Sequence, residues 1–380
     1  MNIQLEKKQI PVLLLTGYLG SGKTTLLNRI LANKKGIKFA VIVNDIGEIN
    51  IDADLIEKGG IVGQTDDSLV ALQNGCICCT LKMDLVAQIS ELTSSARFDY
   101  IVIEASGICE PAPIAQTVST IPQLGPQYTT GALPYVDCIA TIVDALRMKD
   151  EFEGGKALGR EDIEDDDLER LVIEQIEFCN IVLLNKSSEV SPDELGKLKS
   201  IVQGINPGAK ILTCNYGDID LDEIIYTGMF DFERVATSAA WIAAIEGEEE
   251  EEVEEGEALE YGIDTYVYTD RRPLDMNRFD DLLGRRWPGN IIRCKGLCYF
   301  SDDTGKCWLF EQAGRQKILR DAGLWYATMR DDEIQEMLAR DRKLREEWDP
   351  VYGDRMIKLV FIGQHLDKAE LKTLMDSCLA

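Results

Sequence analysis

The chain has 380 residues, 45% of them apolar and 28% charged, with a formal net charge of −27. That length suits two domains better than one core, and the charge argues against nucleic acid or an anionic membrane as the main partner, since either would want a basic face. No apolar run reaches membrane-spanning length, the apolar stretch near the start is too short for a secretory signal, and eleven cysteines scattered through a long chain are not the even framework of a small secreted domain, so a cytoplasmic protein with reduced thiols is expected.

The first candidate strand, Ile10–Thr16, runs into GYLGSGKTT, Gly17 to Thr25, which carries G-x-x-x-x-G-K-T on Gly17, Gly22, Lys23 and Thr24. A helical stretch, TTLLNRILAN, opens at its end. In that order, strand, glycine-rich turn and helix let backbone N–H groups close around phosphate, and the helix N-terminus adds positive potential. Gly17, Gly20, Ser21, Gly22 and Thr25 would form the cradle. Lys23 would reach the β- and γ-phosphates and Thr24 would ligate Mg2+, both in catalytic roles. A nucleoside triphosphate is expected here.

A second strand, Phe39–Asn44, precedes QNGCICCTL, Gln73 to Leu81, which holds Cys76, Cys78 and Cys79 within four residues. In extended backbone, residues two apart share a face, so Cys76 and Cys78 converge and a slight turn adds Cys79. Thiolates are soft ligands that suit Zn2+, Co2+ or Cu+. Structural zinc sites close with four ligands, and three leave an open position that suits a metal due to leave again. A helix predicted over Leu81–Leu92, with Thr80 as its N-cap, would favour thiolate over thiol. The spacing alone leaves two other readings open, buried reduced cysteines and vicinal thiols for redox chemistry. Cys138, Cys179, Cys214, Cys294, Cys298, Cys307 and Cys378 sit among apolar residues and read as buried small hydrophobes. The lone His365 falls at a strand end and reads as structural.

The strand Tyr100–Glu104 ends in Glu104-Ala-Ser-Gly107. In small GTPases a D-x-x-G at this point sets an acid near Mg2+ and a glycine N–H near the γ-phosphate. E-x-x-G is unspecific by itself and gains meaning after a phosphate loop and an apolar strand. Further strands follow at Cys138–Val143, Asn180–Leu184 and Ala209–Cys214. These runs are continuously apolar, as befits strands buried on both faces, and helical patterns separate several of them, so the fold class is α/β with a doubly wound, mostly parallel sheet of the P-loop NTPase kind. The fifth run ends in IVLLNKSS, where guanine-specific proteins carry N-K-x-D. Asn185 and Lys186 would frame the base, but Ser188 stands where the base-reading aspartate belongs. The residues alone leave the base preference open between GTP and ATP.

Ten acids crowd EGEEEEEVEEGEALE, Glu246 to Glu260, a run whose self-repulsion reads as a solvated linker. Beyond it TYVYTD, NIIRCKGLCYF and GKCWLFEQ read as strands and Asp331–Glu347 as a charged helix, while RMIKLVFIG and a helix over Asp367–Cys378 close the chain. The division expected is 1–235 for the nucleotide domain, 236–260 for the acidic linker and 261–380 for a small α+β domain with a mostly antiparallel sheet.

With these motifs in this order the chain resembles the CobW-like family of P-loop GTPases, relatives of the urease and hydrogenase accessory GTPases. GYLGSGKTTLLNRIL, VNDIGEINID, NGCICCTL, IEASGICEPAPIAQ and VDA are similar to the family's nucleotide domain, and RRPLDMNRF, RCKGLCYF and WDPVYGDRMIKLVFIG to its C-terminal domain. The resemblance implies a GTPase that binds Zn2+ or Co2+ through Cys76, Cys78 and Cys79 and passes it to a client metalloprotein. By position it implies that Glu104 and Gly107 sense the γ-phosphate, and that Glu48, in the family's G-E pair, serves the metal or the switch; a surface acid is the plainer reading of Glu48. The interdomain stretch is rich in glutamate where many members have histidine, and Asp275 falls where the C-terminal domain often has histidine. Two other classes of function remain open, a nucleotide-switched binding protein with structural cysteines and a passive metal buffer or sensor. Nothing in the sequence reports oligomeric state.

Overall fold

The computed structural model describes residues 8–43, 69–71, 82–107, 109–152, 163–231, 263–313 and 316–380. Seven strands, β1 (Gln9–Thr16), β2 (Phe39–Val43), β3 (Leu69–Ala71), β4 (Tyr100–Glu104), β5 (Leu133–Asp144), β6 (Ile181–Asn185) and β7 (Lys210–Thr213), form one sheet in the order β3-β2-β4-β1-β5-β6-β7. Every pairing in it is parallel. β2, β4 and β6 are buried along their whole length, and β1 everywhere but its first residue, which is why their sequences run apolar without alternating. The accompanying helices are α1 (Lys23–Leu31), α2 (Lys82–Ser95), α3 (Pro111–Thr120), α4 (Ala145–Phe152), α5 (Ile163–Glu177) and α6 (Pro192–Ile205). The register pairs Leu15 with Glu104, Thr16 with Thr141 and Asp144 with Asn185. Four strands therefore finish at one edge, the carboxyl edge where open α/β sheets build ligand sites.

The fourth expected strand starts five residues earlier than its apolar core suggests, and the reason is Asp137. The register of β5 against β1 slips between Val12 and Leu13, leaving Asp137 in the bulge and fully buried. Its carboxylate accepts hydrogen bonds from the Tyr100 hydroxyl (2.5 Å) and from the backbone N–H groups of Thr227 (3.1 Å) and Gly228 (2.6 Å). Burial, aided by the neighbouring Cys138 and Asp137, pushes the Tyr100 phenol far above its ordinary range, so it remains a donor. The carbonyl of Asp137 also takes the Phe230 N–H at 3.0 Å. A buried acid thus fastens β4, β5 and residues 227–230 together.

A second unit carries its own sheet and core. Strands β8 (Ile263–Asp270), β9 (Ile291–Phe300), β10 (Asp303–Ala313), β11 (Gln316–Leu324) and β12 (Ile357–Gln364) lie in the order β11-β10-β9-β12-β8, all antiparallel. Phe300, Phe310 and Phe361 from the strands pack with Phe279 of α7 (Met276–Asp281) and with Leu371 and Met375 of α10 (Lys368–Asp376). The expected charged helix is two, α8 (Asp331–Arg340) and α9 (Arg342–Glu347). Asp341 between them is extended, and its carboxylate caps α9 by accepting from Leu344 N–H at 3.0 Å, the usual preference of aspartate for an N-cap. Asp275 does the same for α7 through Arg278 N–H. His365 is exposed, with φ of 50° just past β12. Residues 236–260, the expected linker, lie outside the described residues.

Replacing Asp137 by alanine strands the buried Tyr100 hydroxyl, at a cost of about 1–3 kcal/mol, and takes their partner from the part-buried Thr227 and Gly228 N–H groups. Urea unfolding of the full chain, followed by far-UV circular dichroism, should lose about 2 kcal/mol or more in this variant. Tyr100→Phe removes one donor and should lose about 1 kcal/mol. An unchanged midpoint for Asp137→Ala would contradict the fastening role.

Candidate nucleotide-binding site

The loop after β1 turns through Gly17, Gly20 and Gly22, all with positive φ. Gly22 is the residue before α1, and a Cβ there would lie 2.4 Å from Asn185 Nδ2, so no other residue fits. α1 opens with neither a side-chain cap nor an acid in its first turn, leaving its N–H groups and their positive potential to a ligand. The buried Lys23 donates to the carbonyls of Gly17 (2.7 Å) and Tyr18 (3.3 Å). The Ser21 hydroxyl is buried within the same loop and has no hydrogen-bond partner among the described atoms. A cationic amine turned onto its own loop, a dangling hydroxyl and an uncapped helix together fit an anion of phosphate chemistry.

Glu104 ends β4 beside this loop, and its Oε1 accepts from the Thr24 hydroxyl at 3.4 Å. Hydroxyl and carboxylate are hard oxygen donors, so the pair fits Mg2+. Three residues on, a Cβ at Gly107 would stand 2.8 Å from Leu19 N; this glycine touches the phosphate loop. Gln175 of α5 holds the turn by donating to the Gly107 and Cys109 carbonyls (3.4 and 3.3 Å). Lys23, Thr24, Glu104 and Gly107, spread over 85 residues of sequence, thus meet at one place.

Asn185 at the end of β6 joins them. Its Nδ2 donates to the Ser21 carbonyl at 2.8 Å, and its Oδ1 accepts from Gly217 N–H at 3.2 Å. Lys186 has left-handed backbone, φ 56°, and its ammonium pairs with Asp144 at 2.5 Å. Ser188 donates its N–H (3.0 Å) and its hydroxyl (2.8 Å) to Asn215 Oδ1.

Several residues here escape sequence reasoning. Asp144 carries no visible role within VDA, yet it receives Lys186 and the Arg147 N–H (3.2 Å). Arg147 lies 4.2 Å over the Tyr18 ring and donates to its hydroxyl at 3.1 Å. Asn215 and Gly217 follow β7 in NYGD; the available signal was that a polar, glycine-containing loop after a late parallel strand opens on the same edge as N-K.

Against known families, residues 11–213 match the model described as CobW/HypB/UreG, nucleotide-binding domain, and residues 263–379 match the cobalamin synthesis protein cobW C-terminal domain. A Dictyostelium discoideum protein named zinc-regulated GTPase metalloprotein activator 1 is 33% identical over 387 residues, covering 98% of this chain and 80% of that one. The zinc chaperone YjiA of Escherichia coli is 32% identical over 236 residues, 60% of this chain and 65% of its own. The zinc chaperone CobW of a Sinorhizobium species is 31% identical over 206 residues, 51% and 55% of the two chains.

Cys76, Cys78, Cys79 and Glu48 lie outside the described residues, as do Thr80 and Leu81. Among the described residues no group of three or more histidine, cysteine, aspartate or glutamate side chains is placed to hold a metal ion, and no helix is long and apolar enough to cross a membrane. The eight described cysteines, Cys109 among them, are buried and form no disulfide with one another. Burial pushes the thiols of Cys138, Cys179 and Cys307 up to about 12, and that of Cys294 well above its ordinary value. A raised pKa keeps them as thiols at neutral pH, and the thiol is a poor nucleophile. Iodoacetamide treatment of the reduced, folded protein at pH 7.5, read by peptide mapping, should therefore leave these eight unmodified, while denaturation exposes all. Label on Cys138 or Cys294 in the folded protein would contradict this.

Proposed function

Because the chain belongs to the CobW/HypB/UreG family of P-loop GTPases, with the CobW C-terminal domain following, we propose that it is a GTP-driven metallochaperone that takes Zn2+, or Co2+, on Cys76, Cys78 and Cys79 and hands it to a client metalloprotein. The observation that carries this reading is the meeting of Lys23, Thr24, Glu104 and Gly107 at one loop. The names of the three relatives, which speak of zinc, support zinc as the cargo. The protein works in the cytoplasm, and nucleic acid and membrane are not its partners, in keeping with its net charge of −27.

In this reading Lys23 leaves the Gly17 and Tyr18 carbonyls for the β- and γ-phosphate oxygens. Thr24 and Glu104 would hold Mg2+, which when bound would offset negative charge on the phosphates. Water attacks the γ-phosphorus, the bond to the β,γ-bridging oxygen breaks, and GDP and phosphate result. The cysteine motif ends three residues before α2, and α2 leads to β4, whose end carries Glu104 and, beyond it, Gly107. Loss of the γ-phosphate is thereby transmitted along α2 and β4 to the thiolates, loosening their grip so that a docked client exchanges them for its own ligands. The three-thiolate site keeps one position open for that exchange.

Zinc affinity of the reduced protein, by chelator competition, should differ about tenfold or more between Mg2+ with a non-hydrolysable GTP analogue and Mg2+ with GDP, equivalent to about 1.4 kcal/mol of coupling. Cys78→Ser should lose tight zinc binding and keep nucleotide, whereas Lys23→Ala should lose triphosphate binding. Equal zinc affinities in the two nucleotide states would favour a switched binding protein whose cysteines are structural.

A further inference from the structure

Next to the phosphate loop the chain builds a second, smaller recognition feature. Residues 185–189 and 214–218 are stitched into one rim. Ser187 N–H donates to the Cys214 carbonyl (3.2 Å), Gly217 N–H to Asn185 Oδ1 (3.2 Å), and Ser188 donates twice to Asn215 Oδ1. Asn185 binds this rim to the Ser21 carbonyl, so a nucleotide with its phosphates on residues 17–25 presents its base here.

The polarity of the rim decides which base edges it distinguishes. A carboxylate facing the base would take both the N1–H and the 2-amino N–H of guanine in charge-assisted bonds and would repel the N1 lone pair of adenine. Ser188 offers no such charge. Of the carboxylates near the rim, Asp144 pairs with Lys186 at 2.5 Å and Asp218 with Arg29 at 2.7 Å, while Glu189, one residue beyond the position of Ser188, is exposed. Two donors from Ser188 converge on Asn215 Oδ1, which fixes the amide so that its NH2 faces away from Ser188 and remains a donor. The Ser188 hydroxyl, having given its proton to Asn215, retains acceptor lone pairs. One neutral donor and one neutral acceptor match a 6-oxo group beside an N1–H. Guanine and hypoxanthine share that pair, and adenine reverses it.

We infer that this chain reads a 6-oxopurine and ignores the 2-amino group, so that inosine triphosphate is bound and hydrolysed nearly as well as GTP. The inference rests on the reading that a nucleoside triphosphate occupies the phosphate loop. Sites built around a hydrogen-bonded substrate group reject analogues lacking it by large factors; the Ser188–Asn215 rim has no group dedicated to the 2-amino position.

The test is displacement of a fluorescent GDP analogue from the full-length protein with Mg2+, using GTP, ITP and ATP as competitors. GTP and ITP should agree within about fivefold, and ATP should be weaker by about tenfold or more. Ser188→Asp should raise the GTP-to-ITP preference about tenfold or more, because it supplies the missing charged acceptor; its folding is checked by thermal melting, and the unmodified protein decides the matter alone if the variant fails to fold. A GTP preference over ITP above about thirtyfold in the unmodified protein would overturn the inference, as would ATP equal to GTP, or a folded Ser188→Asp with an unaltered ratio. If none of the three competes, the inference falls together with the triphosphate reading, a pattern distinct from selective binding of GTP alone.

Discussion

The hydrogen bond from Asn185 to the Ser21 carbonyl, 2.8 Å long and buried, is the constraint on which the rest of the nucleotide site depends. It spans 164 residues of sequence and ties the end of β6 to the loop after β1. The amide reaches the loop only because Gly22 has no side chain in its path, and the same amide collects Gly217 on its other side. One side chain therefore sets the distance between the loop after β1 and the loops after β6 and β7. A buried amide with each of these bonds made contributes stability, and leaving one unmade costs more than making it gains. The parallel sheet supplies the platform, since its register brings the carboxyl ends of β1, β4, β5 and β6 to a common edge.

Much of this was legible in the sequence because parallel strands buried on both faces leave a continuous apolar signature, and the phosphate loop announces itself through residues required at fixed spacing. The family resemblance carried by the motifs agrees with both family models and with the extended similarity to the Dictyostelium protein. What stayed hidden was tertiary. The expected strand starts just after Asp137, and only Tyr100, Thr227 and Gly228, all distant in sequence, make this acid tolerable inside one. β11 has an exposed, charge-bearing half, the composition by which edge strands avoid unwanted pairing, and that same composition masks it. The split of the charged helix at Asp341 follows from a capping preference that periodicity ignores.

The base rim shows the opposite case, a departure visible in the sequence whose meaning required three dimensions. Ser188 marks the loss of a carboxylate. Its partner Asn215 lies 27 residues away, and their pairing is what supports reading the site as a neutral donor and acceptor. Fold-level kinship would predict a guanine reader, while the side chains argue for a broader one; function resides in the site and not in the fold that carries it.

The posture of Lys23 has an energetic meaning. Its ammonium is already stripped of most of its water and rests on two carbonyls of the loop it serves. In the proposed reading, arriving phosphates meet a cation that is already largely dehydrated and that passes from carbonyl to phosphate oxygens by rotation about side-chain bonds. The cost of desolvating this charge then falls on folding and not on the binding of nucleotide.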